Sequence, residues 1–200
     1  MTPTLDLTSF IMNGFSTVSL DMNLLLESKY QADRETWATD TNDGTYEALW
    51  CTNNGTTTMD NLPTPYRSLV NQVVEVTRAS IGNHACVDTI SLWKGAEFLD
   101  WHDHIDDGGI EGLHWLIYLG DRVWHPAAGG LLLIKNDQQP EKIFTFAPVF
   151  GTAVVLNNTK HHFLHAVTAY QPLSTRIVLQ VGFSTSRPAS PPAFMEDTKA

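Results

Sequence analysis

The chain has 200 residues, with 12 lysines and arginines against 22 aspartates and glutamates, so its formal net charge is −10. Apolar residues make up 42% of it, which excludes a disordered chain and allows one domain with its own core. The acidic balance argues against nucleic-acid partners, and no apolar run is long enough to span a membrane. Two cysteines, Cys51 and Cys86, indicate reduced thiols, and the N-terminus lacks a secretion signal, so we expect a soluble, cytoplasmic protein.

The first third of the chain predicts helices and polar loops. Asp21 is placed to cap a helix that starts at Met22. A second helix is predicted after Thr64, which we expect to be its cap, with Pro65 at the first helical position and Gly82 at the C-terminal stop. One face of this helix is apolar and is expected to pack on a sheet; it carries Tyr66, Leu69, Val70, Val73, Val74 and Thr77.

Two further segments are predicted to form loops. Residues 38–62 are rich in Thr, Asn, Asp and Gly, which indicates a loop with one short strand near 46–51. Residues 120–128 lie between two predicted strands. We expect both segments to lie over the mouth of a barrel, where such loops usually set specificity.

From Ala85 onward the pattern changes to short strands separated by turns. Eight runs follow at roughly ten-residue spacing, which is typical of a sandwich, barrel or jelly roll: 85–93, 97–106, 112–119, 129–135, 142–147, 151–157, 162–169 and 175–184. The predicted fold is therefore mainly β with supporting N-terminal helices. We expect a single domain over 1–200, with 1–84 as helical and loop support, 85–184 as the β core and 185–200 as a flexible tail.

A cluster of histidines suggests a metal site. His102, His104 and Asp106 occupy alternate positions, so in an extended strand their side chains would project from one face. Burying them is costly unless a metal or hydrogen bonds compensate. His-x-Asp with a distant histidine, here His165, is the composition of the triad that binds iron(II) in non-heme oxygenases and leaves positions open for cosubstrate and dioxygen. The alternative for His104 is a solvated surface histidine.

One basic residue lies inside a strongly apolar strand pattern, TRIVLQVGF. Alternation places this residue, Arg176, on one face with Val178 and Gln180. A buried guanidinium requires an anionic partner, and a carboxylate ligand held by two parallel hydrogen bonds would supply it. The alternative is an edge strand with Arg176 pointing into water.

The order of these elements resembles a known family. It comprises His104-Ile105-Asp106, Leu116 to Leu119, Trp124, Gly129-Gly130, Pro148 with Gly151, His165-Ala166-Val167 and Thr175-Arg176. In this order the chain resembles the prolyl-4-hydroxylase-like branch of the 2-oxoglutarate and iron(II)-dependent dioxygenases. The resemblance covers residues 90–184, about half of the chain. It implies a double-stranded β-helix, a jelly-roll barrel like that of the cupins.

The resemblance also implies roles for individual residues. His104, Asp106 and His165 match the ligands of Fe(II), and Arg176 matches the residue that pairs with the far carboxylate of 2-oxoglutarate. Tyr118 matches a tyrosine that hydrogen-bonds the same carboxylate in part of the branch. The Arg-x-Ser variant of the family is absent here, so Tyr118 is the candidate for the second contact.

Three residues have less definite roles. His102 is expected beside the metal or on the substrate side, with a surface histidine as the alternative. A cupin metal pair is a further reading of His102 and His104, but the second cupin motif needs a histidine where this chain has Val154. Trp93 and Trp124 are expected near the site, and the plainest role of Trp124 is packing.

The implied activity is oxidation of an unactivated C–H bond by dioxygen, with 2-oxoglutarate converted to succinate and carbon dioxide. The expected substrate is a small molecule, such as an amino acid or a biosynthetic intermediate. A peptidyl-prolyl substrate is the alternative within this class of enzyme. A non-catalytic ligand-binding jelly roll or cupin is a remote alternative, and the oligomeric state is left open.

Overall fold

The computed structural model describes residues 4–39, 46–51, 59–82, 86–95, 99–102, 112–158 and 162–184. These residues contain three α-helices: α1 (Leu7–Asn13), α2 (Met22–Ala32) and α3 (Thr64–Ile81). They also contain eleven strands: β1 (Phe15–Thr17), β2 (Ala38–Thr39), β3 (Tyr46–Cys51), β4 (Cys86–Gly95), β5 (Leu99–His102), β6 (Gly112–Tyr118), β7 (Leu132–Asn136), β8 (Ile143–Phe146), β9 (Ala153–Asn157), β10 (Phe163–Val167) and β11 (Ile177–Ser184).

The helix ends follow local capping chemistry, with one correction to the sequence prediction. The Asp21 carboxylate accepts hydrogen bonds from the first backbone N–H groups of α2, as predicted. In α3, however, Pro63 is the N-cap, Thr64 instead of Pro65 is the first helical residue, and no side chain caps the helix. Pro63 favours this start because its ring fixes φ and leaves no N–H to satisfy. Gly82 ends the helix with φ +100°, as predicted.

The strands form two antiparallel sheets. The large sheet has the order β1-β9-β6-β11-β4-β3-β2, and the small sheet has the order β5-β10-β7-β8. This confirms the predicted mainly β fold with helices near the N-terminus. The eight runs predicted after residue 85 correspond to β4–β11, although β5 is described only as far as His102. The N-terminal strands β1 and β2 were not predicted, because runs of two or three residues carry almost no periodicity.

The large sheet is buried on both faces. Its outer face packs against the helices in a core that includes Tyr66, Leu69, Val73, Ile90, Trp115, Val155, Ile177, Leu179 and Val181. Its inner face packs toward the small sheet in a second core that includes Leu116, Tyr118, Leu132, Ile134, Val154 and Val178. The predicted apolar face of α3 therefore does pack on a sheet. In the described part of the chain, no helix combines the length and the apolar character needed to cross a membrane.

Candidate active site

Strand register places several predicted site residues in the space between the two sheets. Val178 lies opposite both Tyr118 and Trp93, and directly paired residues project to the same side of a sheet. Val178 and Tyr118 belong to the core between the sheets, so this side is the inner face. Arg176 precedes Val178 by two residues and shares that face, because strand side chains alternate.

Arg176 is buried, with 6% of its surface exposed, which rules out the alternative of a side chain in water. Its Nη1 donates to the carbonyl oxygen of Gly95 at 2.8 Å, and the Gly95 N–H donates to the Arg176 carbonyl at 2.8 Å. Its Nε–H is buried and has no hydrogen-bond acceptor among the described residues. A guanidinium has five N–H donors, so this cation has capacity for an anionic ligand.

Tyr118 lies beside Arg176 and is fully buried. The Arg176 guanidinium carbon is 5.5 Å from the centroid of the Tyr118 ring. The Tyr118 hydroxyl makes no well-aligned hydrogen bond to another described residue, and Arg176 is the polar side chain that interacts with it. Burial raises the pKa of Tyr118, and the positive charge of Arg176 offsets only part of that rise. The phenol is therefore neutral at neutral pH, so it can donate a hydrogen bond.

Hydrogen bonds to a neighbouring loop fix the segment that leads into Arg176. Asp121 makes two of them: its N–H donates to the Thr175 carbonyl at 2.9 Å, and its carboxylate accepts from the Thr175 N–H at 2.7 Å. Gln171 donates its N–H to the carbonyl of Ala128 at 2.7 Å. The site arginine thus sits on a doubly anchored backbone, which favours a single side-chain placement.

The glycine pair before β7 allows the backbone there to lie close to the segment that leads into Arg176. Gly129 has φ +65°, and a Cβ there would lie 1.8 Å from the carbonyl oxygen of Ala169. Gly130 has φ +62°, and its Cβ would lie 3.1 Å from the Tyr170 ring and 3.3 Å from Cδ of Arg176. Both positions therefore need glycine for backbone reasons and for space.

We expect Gly129→Ala to lower the free energy of unfolding by at least about 2 kcal/mol, from backbone strain and from the clash with Ala169. Urea denaturation measures this directly. Gly151→Ala is the matched control, because Gly151 also has positive φ, +85°, but its Cβ would meet nothing closer than 3.9 Å. If the two variants lost equal stability, the close approach at Gly129 would not be the cause.

His165 is the predicted metal ligand that lies within the described residues. It is buried on β10, opposite Ile134 of β7 and opposite His102 of β5. Because Ile134 belongs to the core between the sheets, both histidines face that space. Their ring centroids are 4.3 Å apart, and the Asp100 carbonyl lies 2.6 Å from Nδ1 of His102, which indicates that this nitrogen carries the proton.

The other two predicted ligands, His104 and Asp106, lie outside the described residues. Among the residues that are described, no three His, Cys, Asp or Glu side chains form a group that could hold a metal. The part of the predicted triad that the structure describes is therefore His165, with His102 beside it.

The two tryptophans occupy different surroundings. Trp93 faces the space between the sheets, and its indole N–H donates to the Ser91 hydroxyl at 2.7 Å. Trp124 stacks on Tyr170 with ring centroids 6.3 Å apart, next to the segment that leads into Arg176. The sequence did not identify Tyr170 or the Gly95 carbonyl as neighbours of Arg176. Neither belongs to a motif, and a backbone carbonyl leaves no signal in residue type.

Comparison with solved structures identifies proteins that share this fold. No family model matches the chain, and no curated protein sequence matches it. A prolyl-4-hydroxylase from Pseudomonas putida matches with a TM-score of 0.60 and 16% identity, over 90% of this chain and 97% of that one. A Trichoplax adhaerens prolyl hydroxylase in complex with a hypoxia inducible factor peptide fragment matches with a TM-score of 0.60 and 13% identity, over 90% and 88%.

HygX from Streptomyces hygroscopicus, with nickel, 2-oxoglutarate and hygromycin B bound, matches with a TM-score of 0.64 and 10% identity, over 90% of this chain and 86% of that one. At these identities the likeness establishes the fold. The chain has the double-stranded β-helix of the 2-oxoglutarate and iron(II)-dependent oxygenases, as the resemblance implied.

Proposed function

We propose that the chain is an Fe(II)- and 2-oxoglutarate-dependent oxygenase. The observation that carries this proposal is the pairing of a buried guanidinium with a buried tyrosine hydroxyl in the space between the sheets. Arg176 has no carboxylate partner among the described residues, and neither its Nε–H nor the Tyr118 hydroxyl makes a well-aligned hydrogen bond there. An unpaired buried charge is costly, so an anionic ligand is the natural complement of this pair.

The residues present fit the two cofactors. Fe(II) would be held by His104, Asp106 and His165, a set with two imidazoles and one carboxylate. The far carboxylate of 2-oxoglutarate would accept hydrogen bonds from Arg176 and from the neutral phenol of Tyr118. When bound, Fe(II) and 2-oxoglutarate supply the oxidising power for C–H oxidation, with dioxygen as cosubstrate and with succinate and carbon dioxide as coproducts.

The protein contributes orientation and exclusion of water. Val178 follows Arg176 on the inner face of the large sheet, and Ile134 lies opposite His165 in the small sheet. Both apolar side chains are buried. These apolar side chains keep the proposed site at low polarity, which strengthens the interactions of the guanidinium. The double anchoring of Thr175 holds Arg176 in one position before the cosubstrate binds.

For the substrate we propose a small molecule, such as an amino acid or a biosynthetic intermediate. The neighbour with bound hygromycin B has a TM-score of 0.64, and the neighbour with a bound peptide has a score of 0.60. The first neighbour supports a small molecule and the second supports a peptide; the scores do not separate the two classes, because HygX with nickel and 2-oxoglutarate alone matches at 0.61. A prolyl peptide is the second candidate, and comparing both substrate classes in one turnover assay separates them.

Cosubstrate chelation tests the proposal directly. Adding Fe(II) and 2-oxoglutarate to the protein without oxygen should produce a visible absorption band that neither produces alone. Admitting air should then release succinate slowly, even without a primary substrate. The absence of both the band and the succinate would contradict the proposed function.

Tyr118→Phe tests the hydroxyl contact. Because the variant removes one hydrogen bond to a carboxylate and keeps the ring, we expect the 2-oxoglutarate concentration for half-saturation to rise at least about tenfold. Titration of the absorption band measures it. Tyr30→Phe is the matched control, since Tyr30 is exposed on α2, remote from the inner face. Unchanged affinity in Tyr118→Phe would mean that the phenol does not contact the cosubstrate.

A further inference from the structure

A second polar group lies on the inner face of the large sheet, further along β11 than Arg176. Gln180 lies opposite Ser91 on one side and Leu116 on the other, and Leu116 belongs to the core between the sheets. Gln180 therefore points toward the small sheet. Its side chain is half-buried and faces the space between the two sheets. Gln180 lies four positions after Arg176, about 13 Å further in the direction of β11. A five-carbon dicarboxylate is shorter than this backbone separation, so we consider a ligand group other than the cosubstrate as the partner of Gln180.

The hydrogen bonds of Gln180 fix which way its amide faces. An indole N–H can only donate, so the Ser91 hydroxyl oxygen accepts from Trp93 at 2.7 Å. Ser91 then donates its single hydroxyl hydrogen to Oε1 of Gln180 at 3.2 Å. With the amide oxygen occupied in this way, the amide nitrogen points away from Ser91. Among the described residues, no acceptor receives a hydrogen bond from it.

The charge on this face limits what those N–H groups can bind. Of the described side chains on the inner face of the large sheet, Arg176 alone carries a fixed positive charge. In the proposed function, the charges of Arg176 and Fe(II) together only balance those of the 2-oxoglutarate dianion and the Asp106 carboxylate. A second anion beside a neutral amide would lack a compensating charge, and burying it would be costly. A neutral acceptor oxygen carries no such cost.

We propose that Gln180 determines substrate specificity by donating its amide N–H groups to a neutral carbonyl oxygen, that of an amide, lactam or ketone, on the substrate. The inference rests on the proposed function, since it assigns the substrate side of the same site. Ser91 and Trp93 act as positioning residues: they hold the amide oxygen, so that the N–H groups face the ligand.

Three probes with one ring and different head groups test this binding. Benzamide offers a neutral carbonyl, benzoate an anionic acceptor, and benzylamine a cationic donor. Saturation-transfer NMR would follow each probe on the full chain loaded with Zn(II) and 2-oxoglutarate, where no turnover occurs. We expect benzamide to bind best, and Gln180→Leu to weaken it about tenfold, the loss of one well-placed hydrogen bond. Gln180→Glu keeps the acceptor for Ser91 but removes the donors, so it should shift the preference toward benzylamine.

Gln139→Leu is the control, because Gln139 is exposed in the turn after β7 and should leave all three affinities unchanged. Equal binding of the three probes, no binding of any of them, or full retention of benzamide by Gln180→Leu would each overturn the inference. The signal of 2-oxoglutarate in the same samples reports the proposed function separately. If 2-oxoglutarate binds while the benzamide result fails, only the role of Gln180 is refuted.

Discussion

Replacing Arg176 with alanine is expected to raise the 2-oxoglutarate concentration for half-saturation by at least about a hundredfold. Removing one partner of a buried ion pair costs roughly 3–5 kcal/mol, because the other charge remains buried and uncompensated. Iron binding should persist, since Arg176 is not among the proposed ligands. The two quantities are measured separately, by titration of the absorption band with 2-oxoglutarate and by the iron retained after desalting.

Two further variants sharpen this test. Arg176→Lys keeps the charge but loses the planar pair of donors. We therefore expect its affinity for 2-oxoglutarate to fall, but by less than that of Arg176→Ala. Arg78→Ala removes an exposed arginine from the last turn of α3 and should change neither quantity. If Arg176→Ala lost iron as readily as it lost 2-oxoglutarate, the residue would be a structural element of the core and not a ligand for the cosubstrate.

Replacing His165 with alanine should abolish the absorption band and lower iron affinity by more than about a hundredfold. Loss of a residue that merely orients a ligand typically costs 10–100-fold in metal affinity, so loss of a ligand itself should exceed this range. Anaerobic titration with Fe(II), followed by iron analysis, measures the affinity. Circular dichroism verifies that the variant remains folded.

His162→Ala provides the matched control for His165. His162 lies three residues earlier, is exposed, and contacts the carboxylate of Asp137 at 3.1 Å. Its loss should leave iron binding intact. Iron retention by His165→Ala at the level of His162→Ala would refute the assignment of His165 as a ligand.

The sequence predicted the strands of the β core because they are short apolar runs at roughly ten-residue spacing, separated by turn residues. The same alternation in TRIVLQVGF correctly predicted that Arg176 shares a face with Val178 and Gln180. The orientation of that face toward the small sheet depends on strand pairing between residues far apart in the chain. Local pattern contains no information on such pairing, so the sequence left open whether Arg176 is buried.

The site contacts were less predictable than the site residues. The resemblance identified Arg176 and Tyr118, but the Gly95 carbonyl that fixes the guanidinium contributes only backbone atoms. The anchoring of Gln180 by Ser91 and Trp93 likewise joins residues about ninety positions apart, through a register that only the folded sheet defines. His104 and Asp106 lie outside the described residues and remain predictions from sequence.

The burial of both faces of the large sheet makes the N-terminal helices necessary for the site. On β11, alternate residues serve opposite layers: Val178 faces the proposed cosubstrate, whereas Ile177 and Leu179 pack against the helical core. A fragment that began at residue 85 would expose that outward row to water as one continuous apolar surface and would tend to aggregate. The shortest version of this protein that preserves the proposed site therefore has to keep α2 and α3, although neither helix carries a residue assigned to that site.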